Sequence, residues 1–481
     1  MADSRIPRLV RNTGILLNVE VFSRFVGIIL FMVAGRKLGP EGIGLYGLAL
    51  ALGGIFSQLP LFGFEKLISR EVAKDLSRAG FYLGRVVILK TILAIMGLVL
   101  IVPALIVMGY EFDRGWIVMV VCATIFSQTF ITYYNAFYRT FSKVEYEAIV
   151  RISLSLVTTG LGLYVLYSGY GLPGFVISQL VSTLLCLFLS NLIVGRKIAP
   201  FHFGLKLREA TSVLKSALPL VLLGVLVMLY VSIGVIVLSQ MKGDYSTGIY
   251  TAAAKIWMVF VFIPAGMMGV YLPTMSRRFQ ENSTDFAKIY WYAFKYLFMI
   301  GIFLAVTGQV IADRLVVFLY GNEFLESAYP LRILAWGMLI SFLNFALVNT
   351  AVSVGKEKKL ALLAFVGVLF NLSLNLALVP RWSYHGTAIA LVSTELLLFV
   401  LNFALIRKLV SGEISWSNVF VKPLVSMAIA LVVMLSVLEL HFILSAILGG
   451  VTFTALLFIL RSFDSVELGV LKSFLGVKAG E

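Results

Sequence analysis

Long apolar runs separated by short polar connections recur from one end of the chain to the other. Runs of 18 or more apolar residues are long enough to cross a bilayer as helices. The spacing predicts an all-α polytopic membrane protein with about fourteen transmembrane helices, near 12–36, 42–63, 83–108, 115–138, 147–168, 172–194, 213–240, 247–272, 287–311, 330–354, 359–379, 385–409, 420–440 and 443–461. Alternating polarity in segments of about ten, the mark of a transmembrane β-barrel, is absent. The first run carries Glu20 and Arg24 near its middle. These residues are four apart, so one helix face holds both and they can pair. The run ends in an abrupt turn, Arg36-Lys37-Leu38-Gly39-Pro40-Glu41-Gly42. The stretch 65–81 has helical spacing of apolar residues among charges and reads as a short surface helix or a basic loop. The stretch 311–330 reads as the longest connection on the opposite side.

Composition agrees with this pattern. Hydrophobic residues make up 60% of the 481 residues and charged residues only 13%, with a mean hydropathy of +0.99. A soluble domain has about a quarter charged residues. The net charge of +15 is read through its distribution among the loops. One alternating set of loops holds 26 Lys and Arg residues and the other set holds 6. Basic residues collect on the cytoplasmic side, so both termini are expected in the cytoplasm and the protein in the cell membrane. The first apolar run is expected to be a retained helix rather than a signal peptide. Cys122 and Cys186 lie in apolar segments without metal-ligand spacing and read as core residues. No phosphate-cradling loop, catalytic triad or metal cluster is evident, so neither a cofactor nor ATP hydrolysis is expected.

The chain also repeats. Gly44-Leu45-Tyr46 opens the second predicted helix and Gly248-Ile249-Tyr250 opens the eighth. Ser127 and Asn135 in the fourth match Ser341 and Asn349 in the tenth, and Leu180-Val181-Ser182-Thr183 in the sixth matches Leu391-Val392-Ser393-Thr394 in the twelfth. Six is even, so the two copies run parallel, with a cavity expected between two six-helix lobes. The expected divisions are 1–198, an N-lobe of six helices; 199–412, a C-lobe of six; and 413–481, two further helices and a cytoplasmic tail. Prolines 60, 103, 219, 264 and 273 and the Gly53-Gly54 pair are expected to kink their helices.

The run Arg36 to Tyr46 resembles the signature after the first helix of the Wzx-type polysaccharide flippases, in the multidrug/oligosaccharidyl-lipid/polysaccharide exporter superfamily. Gly248-Ile249-Tyr250-Thr251-Ala252-Ala253-Ala254-Lys255 resembles the start of that family's eighth helix. Leu319-Tyr320-Gly321-Asn322-Glu323-Phe324, followed by Ala328 and Leu331-Arg332-Ile333-Leu334, resembles the segment leading into its tenth. The resemblance runs in order through nearly the whole chain. It implies a flippase rather than an enzyme, moving lipid-linked oligosaccharides from the inner to the outer leaflet by alternating access. The implied partners are a sugar on a polyprenyl phosphate or diphosphate, membrane lipids and other polysaccharide-assembly proteins, with no nucleic acid.

Such a headgroup brings about two negative charges and many hydroxyls. Lys and Arg at membrane depth suit the phosphates, and amide and hydroxyl side chains suit the sugar. Arg24 and Lys255, one in each lobe, are the leading candidates for the phosphate. Lys295 and Arg332 follow, with Lys90 and Arg151. Candidates for the sugar are Gln128, Thr132, Asn135, Asn344, Asn349, Asn371 and Asn375; interhelical hydrogen bonding is the competing role. An ion-coupled transporter needs an intramembrane carboxylate for H⁺ or Na⁺, and Glu20 and Glu395 are the candidates. Two other readings compete. One is a cation-coupled exporter of small molecules from the same superfamily, which would need an acidic cavity. The other is a membrane polysaccharide polymerase or ligase, which would need a sizeable outer domain.

Overall fold

The computed structural model describes residues 5–110, 112–202, 207–281, 285–411, 415–464 and 467. Every regular element among them is helical. In chain order these are α1 (Arg5–Phe56), α2 (Gln58–Leu61), α3 (Phe64–Lys74), α4 (Ala79–Val107), α5 (Phe112–Thr140), α6 (Val144–Tyr167) and α7 (Gly171–Lys197). There follow α8 (Leu207–Val259), α9 (Phe262–Gln280), α10 (Asp285–Tyr320), α11 (Ala328–Ser353), α12 (Glu357–Ile406), α13 (Lys422–Val437) and α14 (Phe442–Ile459). The polytopic all-α class expected from the apolar runs is the one observed.

Eleven helical stretches among the described residues are long and apolar enough to cross a membrane. Three are far too long for one crossing: Gly14–Leu61 with 48 residues, Gly224–Gln280 with 57 and Glu357–Ile406 with 50. A 48-residue helix is about 72 Å long, against a hydrocarbon core of about 30 Å. Each holds one residue with non-helical backbone angles inside a long helix, at Gly39, Gly243 or Ser383, and the first two stretches break again at Ser57 and at Phe260–Val261. The turn expected over 36–42 is therefore a single residue, with helix on both sides. Gly39 (φ 66°, ψ 179°) and Gly243 (φ 76°, ψ −175°) adopt one conformation, and it is essentially closed to residues with a Cβ. Pro40 follows Gly39 as the first residue of the new helical segment, where its missing N–H costs no hydrogen bond.

The two glycine signatures meet. A Cβ on Gly44 would lie 1.8 Å from the carbonyl oxygen of Asp244, and a Cβ on Gly248 would lie 1.8 Å from that of Pro40. Each helix thus rests on the carbonyl four residues before the other's glycine. Gly47 makes room for a side chain instead, the hydroxyl and methyl of Thr251. The matched sequence positions of the repeat are therefore also matched in local geometry.

The stretch 65–81 is helical: α3, then a 3₁₀ turn over Leu76–Arg78. Asp75 starts that turn by accepting from the Ser77 amide and hydroxyl, and these bonds hold its carboxyl below the usual range. The long loop expected over 311–330 is mostly helix as well. The α10 helix continues to Tyr320, and 322–327 is 3₁₀. Apolar residues 315–318 carry the helix past the polar Asp313 and Arg314.

The chain divides into two compact units, 1–252 with 375–384, and 253–374 with 385–481. An aromatic core in the first gathers Phe64, Tyr133, Phe137 and Tyr138, with the Tyr133 hydroxyl donating to the Tyr82 carbonyl. In the second, Tyr290, Phe294 and Phe298 of α10, Phe342 of α11 and Met275 of α9 share one core. Gly44→Ala and Gly248→Ala are each expected to force the crossing apart, at a cost of about 1–3 kcal/mol. Thermal unfolding in detergent checks this: both variants should melt below wild type, while Gly14→Ala, with open space at its Cβ, should not.

Candidate functional site

Five charged side chains of the first unit form one ladder. On α1, Arg24 Nε donates to Glu20 Oε1 at 2.7 Å. The other oxygen, Glu20 Oε2, accepts from Arg151 Nη1 of α6 at 2.8 Å. Arg151 Nε reaches Glu147 Oε1 at 3.0 Å, one turn back on the same helix. Arg139, in the last turn of α5, closes on Glu147 through two bonds, at 2.8 and 2.6 Å. Both α1 and α6 place Glu four residues before Arg, the favoured order for a helical pair.

Burial grades along the ladder. Glu147 is fully buried at its centre; to one side the Arg151, Glu20 and Arg24 side chains are 26%, 31% and 34% exposed, and at the other end Arg139 is 48% exposed. Three guanidiniums and two carboxylates sum to +1. Glu65, in the first turn of α3, faces the same group. Burial raises its carboxyl above the usual range, against the pull of Lys90, Arg139 and Arg151. Lys90 itself is 1% exposed and donates to the Pro60 carbonyl at 2.5 Å, with the rings of Phe64, Phe130 and Tyr133 around its ammonium.

The polar candidates of α5 divide. Gln128 is exposed, and its carbonyl accepts from Thr132. Asn135 is buried, and its Oδ1 has no hydrogen-bond partner among the described residues.

The second unit holds a different polar cluster. The buried Glu395 carboxylate accepts from Asn344 Nδ2 at 2.8 Å, and Asn344 Oδ1 accepts from Asn402 at 3.4 Å. Beside it on α12, Asn371 Nδ2 donates to Thr394 Oγ1 at 3.0 Å. Asn349 is half-buried and turns back on its own helix, donating to the Phe345 carbonyl. Asn375 is fully buried in the short segment that belongs to the first unit. Lys255 is half-buried on α8.

Two of the expected phosphate ligands are committed to acids. Lys295 is 4% exposed, and its ammonium makes three hydrogen bonds: to both Glu467 oxygens, at 2.9 and 2.7 Å, and to the Ser462 carbonyl at 2.7 Å. An ammonium has three donors, so none is left for a phosphate in this arrangement. Arg332 pairs with Asp313 and lies over the Tyr329 ring. Arg24 and Arg151 are instead brought together through Glu20. Arg139, Glu147, Asn402 and Glu467 belong to these clusters without being among the residues expected from the sequence. A signal existed for Glu147, since Glu147 and Arg151 repeat the spacing of Glu20 and Arg24. Among the described residues, no group of His, Cys, Asp and Glu could hold a metal ion.

The family model described as "Polysaccharide biosynthesis protein" matches residues 9–279, and the MatE model matches 219–377. A capsular polysaccharide biosynthesis protein, CapF of Staphylococcus aureus, is 21% identical over 403 residues, covering 80% of this chain and 96% of the relative. The fold is similar to that of a lipid II flippase, MurJ, in an inward closed conformation, with a TM-score of 0.70 and 14% identity over 91% of this chain and 96% of that one. It is also similar to an inward-facing multidrug resistance transporter of the MATE family, with a TM-score of 0.69 and 17% identity over 83% and 98%. With a family match over more than half its length, this chain belongs to the polysaccharide biosynthesis protein family, the flippases of the multidrug/oligosaccharidyl-lipid/polysaccharide exporter superfamily.

Proposed function

We propose that this transporter flips a lipid-linked oligosaccharide, a glycan on a polyprenyl phosphate or diphosphate, from the inner to the outer leaflet by alternating access. The observation that carries the reading is the Arg24–Glu20–Arg151–Glu147–Arg139 ladder. It gives the first unit a net cationic group, half-buried at its Arg24 and Arg139 ends and anchored on the buried Glu147. A guanidinium held by a carboxylate on one edge is oriented to present its planar fork to a phosphate. Lys255 is the second cation of this reading. Gln128, Asn135, Asn349 and Asn375 are its hydrogen-bonding groups toward sugar, and Asn344 and Asn371 support Glu395 and Thr394.

The architecture in this reading is two parallel six-helix lobes followed by two further helices. Eleven candidate spans among the described residues, three of them broken stretches of double length, are compatible with fourteen passes and support that plan. The alternation of basic loops supports cytoplasmic placement of both termini. Glu20 and Glu395 are the carboxylates through which H⁺ or Na⁺ would couple.

The Asn344–Glu395–Asn402 cluster and the MatE match favour a second reading, a cation-coupled exporter of small molecules. Its buried carboxylate suits a cation more than a diphosphate. The two readings part on substrate.

Flipping of a fluorescent polyprenyl-diphosphate sugar in proteoliposomes tests the first reading. Arg24→Ala removes one charge-assisted contact of about 1.5–3 kcal/mol, so flipping should fall about 10- to 100-fold. Its stability should stay within about 1 kcal/mol of wild type, because the pair it breaks is a third exposed. Full activity of both Arg24→Ala and Lys255→Ala would remove these cations from the path. Wild-type protein that moves cations against a drug and no lipid-linked sugar would establish the second reading.

Glu147→Ala should behave in the opposite way to Arg24→Ala. It strips Arg139 and Arg151 of their shared carboxylate, at a cost of about 2 kcal/mol. That is less than for a fully buried pair, because both arginines can rehydrate. Chemical unfolding in detergent should show the loss at any substrate concentration.

A further inference from the structure

Each sequence copy has one buried lysine in its third membrane helix. Lys90 on α4 follows Phe81 by nine residues, and Lys295 on α10 follows Phe286 by nine. Their offset of 205 fits the offsets of 204 at the glycine signatures and 214 at Ser127/Ser341. Both ammoniums bond a backbone carbonyl and lie against aromatic rings. The caps come from different parts of the chain.

Lys90 is capped by the hinge between α2 and α3. Pro60 gives its carbonyl, Phe64 its ring, and Glu65, five residues after Pro60, its charge. Phe62 and Gly63 turn the chain there in left-handed conformations. The second copy has no such hinge: α9 runs on as helix, and its sequence from 262 to 280 contains no acidic residue. Lys295 takes its cap from beyond α14. Ser462 gives the carbonyl, the Phe463 ring lies 5.3 Å from the ammonium, and Glu467, five residues after Ser462, gives the carboxylate. Arg461 turns the chain into this segment, again left-handed at φ 52°.

The docked segment is built to stay in register. Asp464 and Glu467 exchange backbone-to-carboxylate bonds of 2.7 and 2.8 Å, as in a capping box. Tyr292 of α10 donates to Asp464 at 2.7 Å, and Phe463 stacks on Tyr296. Ser462 is fully buried, and Glu467 is 7% exposed.

We propose that residues 462–464 together with Glu467 are the second copy's counterpart of the 60–65 hinge: a latch from the far end of the chain that docks on α10 and neutralises Lys295. A buried ion pair holds a segment no better than apolar packing would. What it adds is a dock specific for one acid, released when that acid is lost. In the flippase reading, transport requires the latch closed, and that last clause rests on the proposed function.

The test uses the full chain with Cys122 and Cys186 replaced by Ala and a reporter Ser462→Cys, which keeps the carbonyl that Lys295 uses. Its thiol should resist maleimide in detergent. Adding Glu467→Ala should expose it, raising the labelling rate at least tenfold and lowering the Tm by on the order of 5 °C. Adding Lys295→Met to Glu467→Ala should recover the Tm, since no buried cation remains, yet leave the thiol reactive and flipping at least tenfold slow. A thiol that stays protected in Glu467→Ala would overturn the latch. So would a Tm that the second substitution fails to restore, and so would wild-type flipping by the undocked double variant. Labelling and melting need no substrate, so they decide the latch even if wild-type protein flips no lipid-linked sugar.

Discussion

A charge inside a bilayer must be neutralised or solvated by the protein itself, because lipid offers neither counter-ion nor water. A charge at the centre of a transmembrane helix costs roughly 2.5–3.5 kcal/mol on insertion scales, and this chain carries several. Each of the following is answered by a carboxylate on its own helix, on another helix or in an adjoining turn. Glu147 answers Arg139 and Arg151, Glu20 answers Arg24 and Arg151, and Glu467 answers Lys295. These bonds link α1, α5 and α6 in the first unit and fasten the C-terminal segment to α10 in the second. Apolar packing alone could not specify such partners, since Leu against Leu in lipid gains little over Leu against an acyl chain.

Backbone constraints fix the rest. Gly39 and Gly243 break their helices in one conformation that other residues avoid, and five residues later Gly44 and Gly248 let two backbones touch. A single five-residue spacing therefore sets both the break and the crossing. This gives a physical reason for two copies of one signature: each glycine needs the other helix's carbonyl, so neither half of the crossing works alone.

The fold class was legible because membrane helices announce themselves by length and apolarity, which need no knowledge of tertiary partners. The breaks were legible in place but not in form. Arg36 to Gly42 reads as a loop, yet only Gly39 leaves the helix. The site was half legible. Glu20 and Arg24 stand out because both lie mid-helix and four apart. Glu147 lies near a predicted helix end, where charge is ordinary, so its complete burial could not be read from position. Lys295 shows the reverse failure. It reads as an unanswered cation in an apolar helix, because its acid lies 172 residues away and no local pattern links them.

The two buried lysines also show what a repeat conserves. Both copies keep a lysine in the third helix, a carbonyl cap and an aromatic wall, while the cap changes its origin from an adjoining hinge to the chain's far end. The requirement carried by the copies is thus physical, an ammonium that must be satisfied, rather than a fixed set of residues. A sequence match would find the lysines and miss the caps. The ladder obeys the same logic at larger scale: each of its two carboxylates is shared between two arginines, so five charges on α1, α5 and α6 are answered by one another rather than by lipid.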